Sequence, residues 1–337
     1  MNVCLIARFF DLRNGGIGRY SQEMLKGLEG RCRTATVSTE RASRMGYFWF
    51  SAVQVPFKLP KADVYHAMSP IEAIHIRKKK NSIVTFHDLI PMLYLGLTKT
   101  HYAKGVIGRF ITKRYFTFAC KRAVKCGAII TNSELTKRQM VEHFNVDESK
   151  IHITPFGIDP SFVPTHKRDG VFRIGTLSYL DRRKRVDLLI NAFRELETQT
   201  DNVELVIGGK GDDMERLKSL AVGTNTRFAD FVPDEELCEF YNSLDLFGFP
   251  SILEGQGLPM IEAMACGKSV VTLEDAIMPD EVKSRTTVTT SKGLAETLLK
   301  MKDNGCRGSK KNTEWARSHR WEKTVAETIE IYEEVMK

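Results

Sequence analysis

Glu254-x7-Glu262 brackets the glycine-bearing stretch Gly255-Gln256-Gly257-Leu258-Pro259. The segment reads as a strand end, a turn, and a helix opening at Pro259. Backbone N–H groups left free at such a helix start, with the dipole behind them, suit a phosphate or sugar hydroxyls. Glu254 is expected to project toward a bound ligand. Glu262, on the first helical turns, is expected to accept hydrogen bonds from vicinal ribose hydroxyls. The competing reading is a plain helix start with two solvated glutamates.

A second cluster follows Ile174-Gly175-Thr176: Asp181-Arg182-Arg183-Lys184-Arg185. Four consecutive cations beyond the carboxyl end of a strand suit a diphosphate. A solvated helix start is the alternative, but cations there oppose the helix dipole and so suggest a compensating anion. Asn14-Gly15-Gly16-Ile17-Gly18 is a turn before a helix that lets backbone approach a ligand closely. His87 lies just past a strand end in Thr85-Phe86-His87-Asp88-Leu89, where an imidazole either hydrogen-bonds substrate or packs in the core. Thr131-Asn132-Ser133-Glu134 ends a strand and caps a helix.

Other patterns fail. Gly16-Ile17-Gly18-Arg19-Tyr20-Ser21 lacks the last glycine of a dinucleotide fingerprint and lies too far beyond the first strand. Gly267-Lys268-Ser269 mimics the end of a phosphate-binding loop, yet Glu262 stands where its first glycine is required. Neither His-Glu-x-x-His nor Asp-x-Asp occurs, so no metal site and no cofactor are expected.

These segments need strands to end beside one another. Strand-like runs are predicted at 3–7, 34–38, 64–66, 83–86, 128–131 and 151–154, then at 172–175, 204–207, 227–231, 246–249 and 269–272. Helix-like stretches alternate with them, notably 18–28, 101–125, 134–144 and 186–196. Such alternation predicts an α/β chain with two doubly wound parallel sheets. The seam is placed at Pro155-Phe156-Gly157-Ile158-Asp159-Pro160, giving domains at 1–160 and 165–318. A final helix from Trp321 carries Val325, Ile329, Tyr332 and Met336 on one stripe.

Composition agrees with this plan. The 337 residues are 42% hydrophobic and 27% charged, enough for real cores and unlike a disordered chain. No apolar run approaches the roughly 18 residues of a membrane span. The opening run 3–7, cut by Arg8, is expected to be a strand rather than a secretory signal. Seven cysteines without a Cys-x-x-Cys pair fit a reducing compartment better than a disulfide framework. The net charge of +8 is lopsided, because residues 1–165 carry 25 Lys+Arg against 12 Asp+Glu. A basic half of this kind suits nucleic acid, an anionic membrane or a phosphorylated ligand.

Taken in order, Gly15-Gly16-Ile17-Gly18-Arg19-Tyr20, His87-Asp88, Asn132-Ser133-Glu134, Pro155-Phe156-Gly157-Ile158-Asp159, Arg183-Lys184, Phe231-Val232-Pro233-Asp234-Glu235-Glu236-Leu237 and Glu254-x7-Glu262 resemble glycosyltransferase family 4. That resemblance implies the GT-B fold, two Rossmann-like domains facing across a cleft, with the Trp321 helix crossing back onto the first. It implies that Glu262 holds the donor ribose and that Arg183 and Lys184 hold the diphosphate. Glu254, Gly255 and the Gly257-Leu258 backbone would contact the donor sugar, and the Phe231-Val232 backbone the base. Gly16 and His87 would complete the site from the first domain. Thr176 stands where many relatives have Arg, and Gln256 where an aromatic residue is common.

The reaction so implied is metal-independent transfer of a mannosyl- or glucosyl-type unit from a UDP- or GDP-sugar to a hydroxyl acceptor, with retained configuration. The acceptor is expected to be lipid-linked or a polysaccharide. Competing readings are a nucleotide-sugar epimerase or phosphorylase on the same scaffold, or a non-catalytic basic binding module. No nucleic-acid partner is expected. Ile76-Arg77-Lys78-Lys79-Lys80 and the segment 104–125 read either as charged outer faces or as contacts with the anionic inner face of a membrane. The expected location is cytoplasmic, with or without such peripheral attachment.

Overall fold

In the computed structural model the chain divides into two compact units. The first holds the described residues through Gly157 and takes back Arg320–Lys337, and the second contains Ile158–His319. The structure describes residues 1–11, 15–39, 46, 49–77, 79–93, 105–165, 170–306 and 308–337. Asn14, Lys78 and Lys104, and the side chain of Arg109, lie outside the described residues.

The first unit runs β1 (Asn2–Ile6), α1 (Gly15–Leu28), β2 (Arg33–Val37), β3 (Val64–Ala67), β4 (Ser82–Phe86), α2 (Gly105–Ala123), β5 (Ala128–Thr131), α3 (Glu134–Phe144) and β6 (Ile151–Ile153). Its six strands are all parallel, in the order β2-β1-β3-β4-β5-β6. The inner strands are buried on both faces, so they read as continuous apolar runs rather than alternating ones. α3 begins where Ser133 accepts a hydrogen bond from the Thr136 amide at 3.3 Å, a side-chain N-cap.

The second unit holds β7 (Phe172–Leu177), α4 (Val186–Glu197), β8 (Val203–Gly208), α5 (Met214–Leu220), β9 (Thr226–Asp230), α6 (Leu237–Asn242), β10 (Leu246–Gly248), α7 (Leu258–Ala265), β11 (Ser269–Leu273), β12 (Thr287–Thr289), α8 (Leu294–Asp303) and α9 (Lys310–Arg317). Its sheet is also parallel, ordered β12-β11-β10-β7-β8-β9. Period-two alternation sends Leu205, Ile207 and Leu246 into one core and Val206 and Phe247 into the other, so helices cover both faces. Strand β12 was not expected from the sequence. It is a three-residue edge strand, largely exposed, and lacks the apolar run that marks its neighbours.

The boundary falls at Gly157 rather than residue 160, because Ile158 and Phe162 already pack into the second unit's core. The Ile158 amide donates to the His319 carbonyl at 3.0 Å, joining the two ends of that unit. Gly157 belongs to the first unit, and a Cβ there would sit 2.2 Å from the Trp321 amide nitrogen. Only glycine admits so close an approach.

The returning helix α10 (Trp321–Met336) uses the expected stripe only in part, through Val325 and Tyr332. It buries Thr324, Val325, Thr328, Ile331 and Tyr332, while Met336 is exposed. The threonines can face inward because their hydroxyls donate to the Pro155 and Thr324 carbonyls, each at 2.7 Å. Tyr332 then hydrogen-bonds His66 Nδ1 at 2.7 Å, and His66 Nε2 reaches the Thr85 hydroxyl at 2.8 Å. Tyr20 of α1 joins the same hydroxyl at 3.0 Å. A fully buried polar chain thus fastens α10 and α1 to β3 and β4.

Burial, helped by nearby His87, lowers the His66 pKa from 6.5 to about 3. The unfolded chain therefore takes up this proton first, and stability falls as pH drops below 6.5. Urea unfolding of the full chain between pH 7.5 and 5 is expected to lose stability with acid. His66→Gln is expected to flatten that slope, and equal slopes in both proteins would refute the assignment.

Candidate active site

In the second unit the strand order reverses direction between β7 and β10, and a parallel sheet opens a crevice at the carboxyl ends of such a pair. The two loops that leave those ends carry the clustered charges. After β7 the chain reaches Asp181, whose carboxylate accepts the Lys184 amide at 3.2 Å and caps a single 3-10 turn, Arg182–Lys184. Arg185 then takes a left-handed conformation, φ 48°, and α4 begins at Val186. The cations therefore precede the helix in a turn of their own.

That turn points its four cations in three directions. Arg182 pairs with Asp213 at 3.0 Å, and Arg185 makes a two-pronged bond to Asp275 at 2.7 and 2.9 Å. Arg183 and Lys184 instead converge on one oxygen of Glu254, at 2.8 and 2.6 Å. Ser251 donates its hydroxyl to the same oxygen. Arg183 also donates to the Leu253 carbonyl, and its own carbonyl accepts the Ile252 amide at 3.0 Å, so the two loops are bonded along their backbones. Lys184 lies 4.8 Å from the Phe249 ring centre, a cation–π contact. The anion called for by the run of cations is thus present within the chain, as carboxylates brought from other loops.

The charges are buried, with Lys184 7% and Glu254 9% exposed. Burial works to raise the Glu254 pKa, but the Lys184 and Arg183 charges and the Lys184 and Ser251 hydrogen bonds outweigh it and hold the carboxyl below its usual range. Burial, with the Arg183 charge, lowers the Lys184 pKa against the pull of Glu254. Asp181 sits above its ordinary value because burial outweighs its cationic neighbours.

The Glu254 loop then crosses to α7. Glu254 N–H donates to the Ile277 carbonyl at 2.9 Å, which fixes the carboxylate's root. Gly257 ends the loop with φ 81°, a left-handed value that favours glycine. No side chain caps the helix that follows, and its first turn carries no acid. Uncapped helix starts of this kind favour anions and hydroxyl groups. Glu262, one turn further, is 4% exposed and accepts the Tyr241 hydroxyl at 2.7 Å.

The sequence matches glycosyltransferase family 4 over residues 14–162 and glycosyl transferases group 1 over residues 159–319. The chain belongs to glycosyltransferase family 4. Its two helix-covered parallel sheets are those of the GT-B fold. Among similar proteins, the O-antigen chain mannosyltransferase B of Escherichia coli is 25% identical over 60% of this chain and 60% of its own length. The O-antigen chain mannosyltransferase RfbU of Salmonella typhimurium is 28% identical over 57% of this chain and 52% of its own. The chain thus aligns with little more than half of each of these relatives. Among solved structures, Anabaena HepE in complex with UDP and glucose superimposes with a TM-score of 0.73 at 15% identity, covering 99% of this chain and 100% of that one. Sucrose-phosphate synthase from Thermosynechococcus elongatus gives 0.78 at 16%, covering 99% of both.

The other residues singled out by the family resemblance are distributed as follows. Thr176 lies inside β7, 1% exposed. Phe231, just past β9, exposes 61% of its surface with Lys210 5.5 Å from its ring centre, while Val232 packs into the core. Gly255 lies in the Glu254 loop, and Leu258 opens α7 half-buried. In the first unit, Gly16 occupies the first turn of α1 with open space where a side chain would be. His87 follows β4, donates from Nε2 to the Met68 carbonyl at 2.8 Å, and meets Tyr20 edge-on with ring centres 5.2 Å apart. Burial lowers its pKa to about 4 despite that carbonyl, so the imidazole is neutral at physiological pH.

Four residues of these sites carried weaker sequence signals. Asp181 has the capping pattern, an Asp ahead of a turn, and Ser251 lies within one loop of Glu254. Tyr241 and His66 sit inside a helix and a strand, where nothing in the sequence separates them from ordinary core.

Glu254→Gln is expected to leave buried Lys184 and half-buried Arg183 with only Asp181, 3.9 Å from Arg183, as counter-charge, at a cost of about 3 kcal/mol. Because the folded pKa of Glu254 is depressed, its contribution is complete above the ordinary value of 4.5 and is lost as pH falls through the lowered one. Denaturant titrations of both proteins should show the gap constant near neutrality and closing below pH 4.5. A gap that persists unchanged in acid would refute this reading.

Proposed function

We propose that the protein transfers a hexosyl unit from a nucleotide-diphosphate sugar, UDP- or GDP-linked, to a hydroxyl acceptor. The observation that carries this reading is the convergence of Arg183 and Lys184 on Glu254 at the carboxyl ends of β7 and β10. The names of the mannosyltransferase relatives support a mannosyl donor, with glucosyl as the other candidate. A lipid-linked or polysaccharide acceptor is part of the same proposal.

Negative charge develops on the diphosphate as the bond from sugar C1 to its oxygen breaks. Lys184 has three N–H donors and Glu254 takes one, so the ammonium can still meet a phosphate oxygen. Arg183 adds a second positive charge beside it. Their stabilisation speeds the reaction to the extent that it grows toward the transition state. This charge arrangement needs no metal in our reading.

Glu254, held by two cations and a hydroxyl with its pKa lowered, is poorly suited to attack C1 or to take a proton. Its role is to hold Lys184 and Arg183 toward the donor. We therefore assign retention to attack from the face the diphosphate leaves. The new bond forms between C1 and the acceptor oxygen, and the acceptor proton passes to a leaving-phosphate oxygen. Glu262, positioned by Tyr241, is assigned to the ribose hydroxyls, the Gly257-Leu258 backbone to the sugar, and the backbone at Phe231 and Val232 to the base. Neutral His87 and the open backbone at Gly16 are assigned to the sugar and acceptor.

A panel of nucleotide sugars scored by acceptor-dependent release of UDP or GDP tests the proposal. Lys184→Met is expected to lower turnover roughly 100- to 1,000-fold, the scale of losing one oriented electrostatic contact. Near wild-type turnover in both Lys184→Met and Arg183→Met would overturn it. So would conversion of the nucleotide sugar without any acceptor, as an epimerase would perform.

A further inference from the structure

We infer that the outward face of α2 is a docking surface for an anionic lipid bilayer. The helix packs on the first sheet through Phe116, Cys120 and Ala123. At 3.6 residues per turn, the opposite face falls to Phe110, Ile111, Arg114, Phe118 and Lys121. A helix face that is only solvated needs no cluster of large apolar side chains. This one exposes Phe110, Ile111 and Phe118 by 59%, 60% and 46%. Both faces thus carry large apolar side chains, and those of the outward face are exposed among the described residues.

The cations are interleaved with the rings. Arg114 lies 5.4 Å from the Phe110 ring centre and Arg122 5.0 Å from that of Phe118. Between Asp88 and Glu134 the sequence holds eight Lys and Arg and no acidic residue, so no carboxylate of this segment repels an anionic surface. The Ser51 and Tyr115 hydroxyls, 2.9 Å apart, tie a neighbouring segment to α2, and that segment exposes Trp49 and Phe57 by 50% and 87%. By contrast, the other basic run folds onto its own unit. Ile76 is buried, Lys79 lies 4.3 Å from the Tyr65 ring centre, and Arg77 donates to the Ile74 carbonyl at 2.6 Å.

A bilayer is the partner that uses both halves of this pattern. Phenylalanine and isoleucine enter the boundary between headgroups and acyl chains, while arginine and lysine extend back to the lipid phosphates. Nucleic acid would meet the cations but gain little from an exposed isoleucine. Among the described residues, no helix is long and apolar enough to cross a membrane, so this contact lies along the surface. The face uses none of the residues assigned to donor chemistry, and the two proposals fail separately.

The test is co-sedimentation of the full chain with vesicles of phosphatidylcholine alone and of phosphatidylcholine with phosphatidylglycerol. Binding is expected only where phosphatidylglycerol is present, and to weaken with salt. Lys113→Gln/Arg114→Gln/Lys121→Gln is expected to weaken it about 100-fold, at about fivefold per cation. Phe110→Ser/Phe118→Ser is expected to weaken it even at low salt, with the thermal unfolding of both variants unchanged. Equal sedimentation with the two vesicle types, or wild-type binding by both variants, would overturn the proposal. Binding to RNA or to an acidic polypeptide with the vesicles left unbound would overturn it as well.

Discussion

Two cations that meet on a single buried carboxylate oxygen set the terms for the second unit. Arg183, Lys184 and Glu254 are each costly to bury alone, and only their mutual contact makes the burial tolerable. The contact requires loops about 70 residues apart to be held at hydrogen-bond distance. Adjacent parallel strands β7 and β10 do this, since their pairing aligns both carboxyl ends. The pairs Arg182–Asp213 and Arg185–Asp275 draw off the flanking cations and leave the middle two to face inward.

Under the proposed function the same arrangement also serves the chemistry. A carboxylate already engaged by two cations and a serine is a weak base and a weak nucleophile, so its value lies in what it holds. Lysine keeps spare donors after pairing, and its site admits little water to screen them. Positive charge oriented before the substrate arrives needs little reorganisation when charge develops on a leaving group.

The first unit solves a different problem. Its chain leaves after β6 and returns as α10, and both arrivals must be fixed to the same sheet. Aromatic stacking does part of this, with Phe156 4.4 Å from Tyr20 and 6.1 Å from Trp321 between ring centres. The buried chain from Tyr332 through His66 and Thr85 to Tyr20 does the rest, and hydrogen bonds so deeply buried fix a register that apolar packing alone would leave loose. On the opposite side, α2 completes the sheet's cover with one face and leaves apolar residues exposed on the other.

Strand and helix identity was legible because local periodicity encodes it: 186–196 carries its core face in its spacing, and α4 buries Val186, Leu189, Ile190, Phe193 and Leu196. The motif residues Arg183, Lys184, Glu254 and Glu262 were legible through the residue types and their spacing, read with the family they resemble. β12 was not, because a short exposed edge strand leaves no apolar pattern, and neither was the inner face of α10, because its buried threonines count as polar until their hydroxyls find carbonyls. What only the tertiary structure decided was partnership. Nothing local distinguishes Arg182 from Arg183, or Tyr241 from a neighbouring core aromatic, since the atoms that distinguish them arrive from loops distant in the chain. Sequence fixes which side chains carry charge, and the folded contacts determine which charges meet.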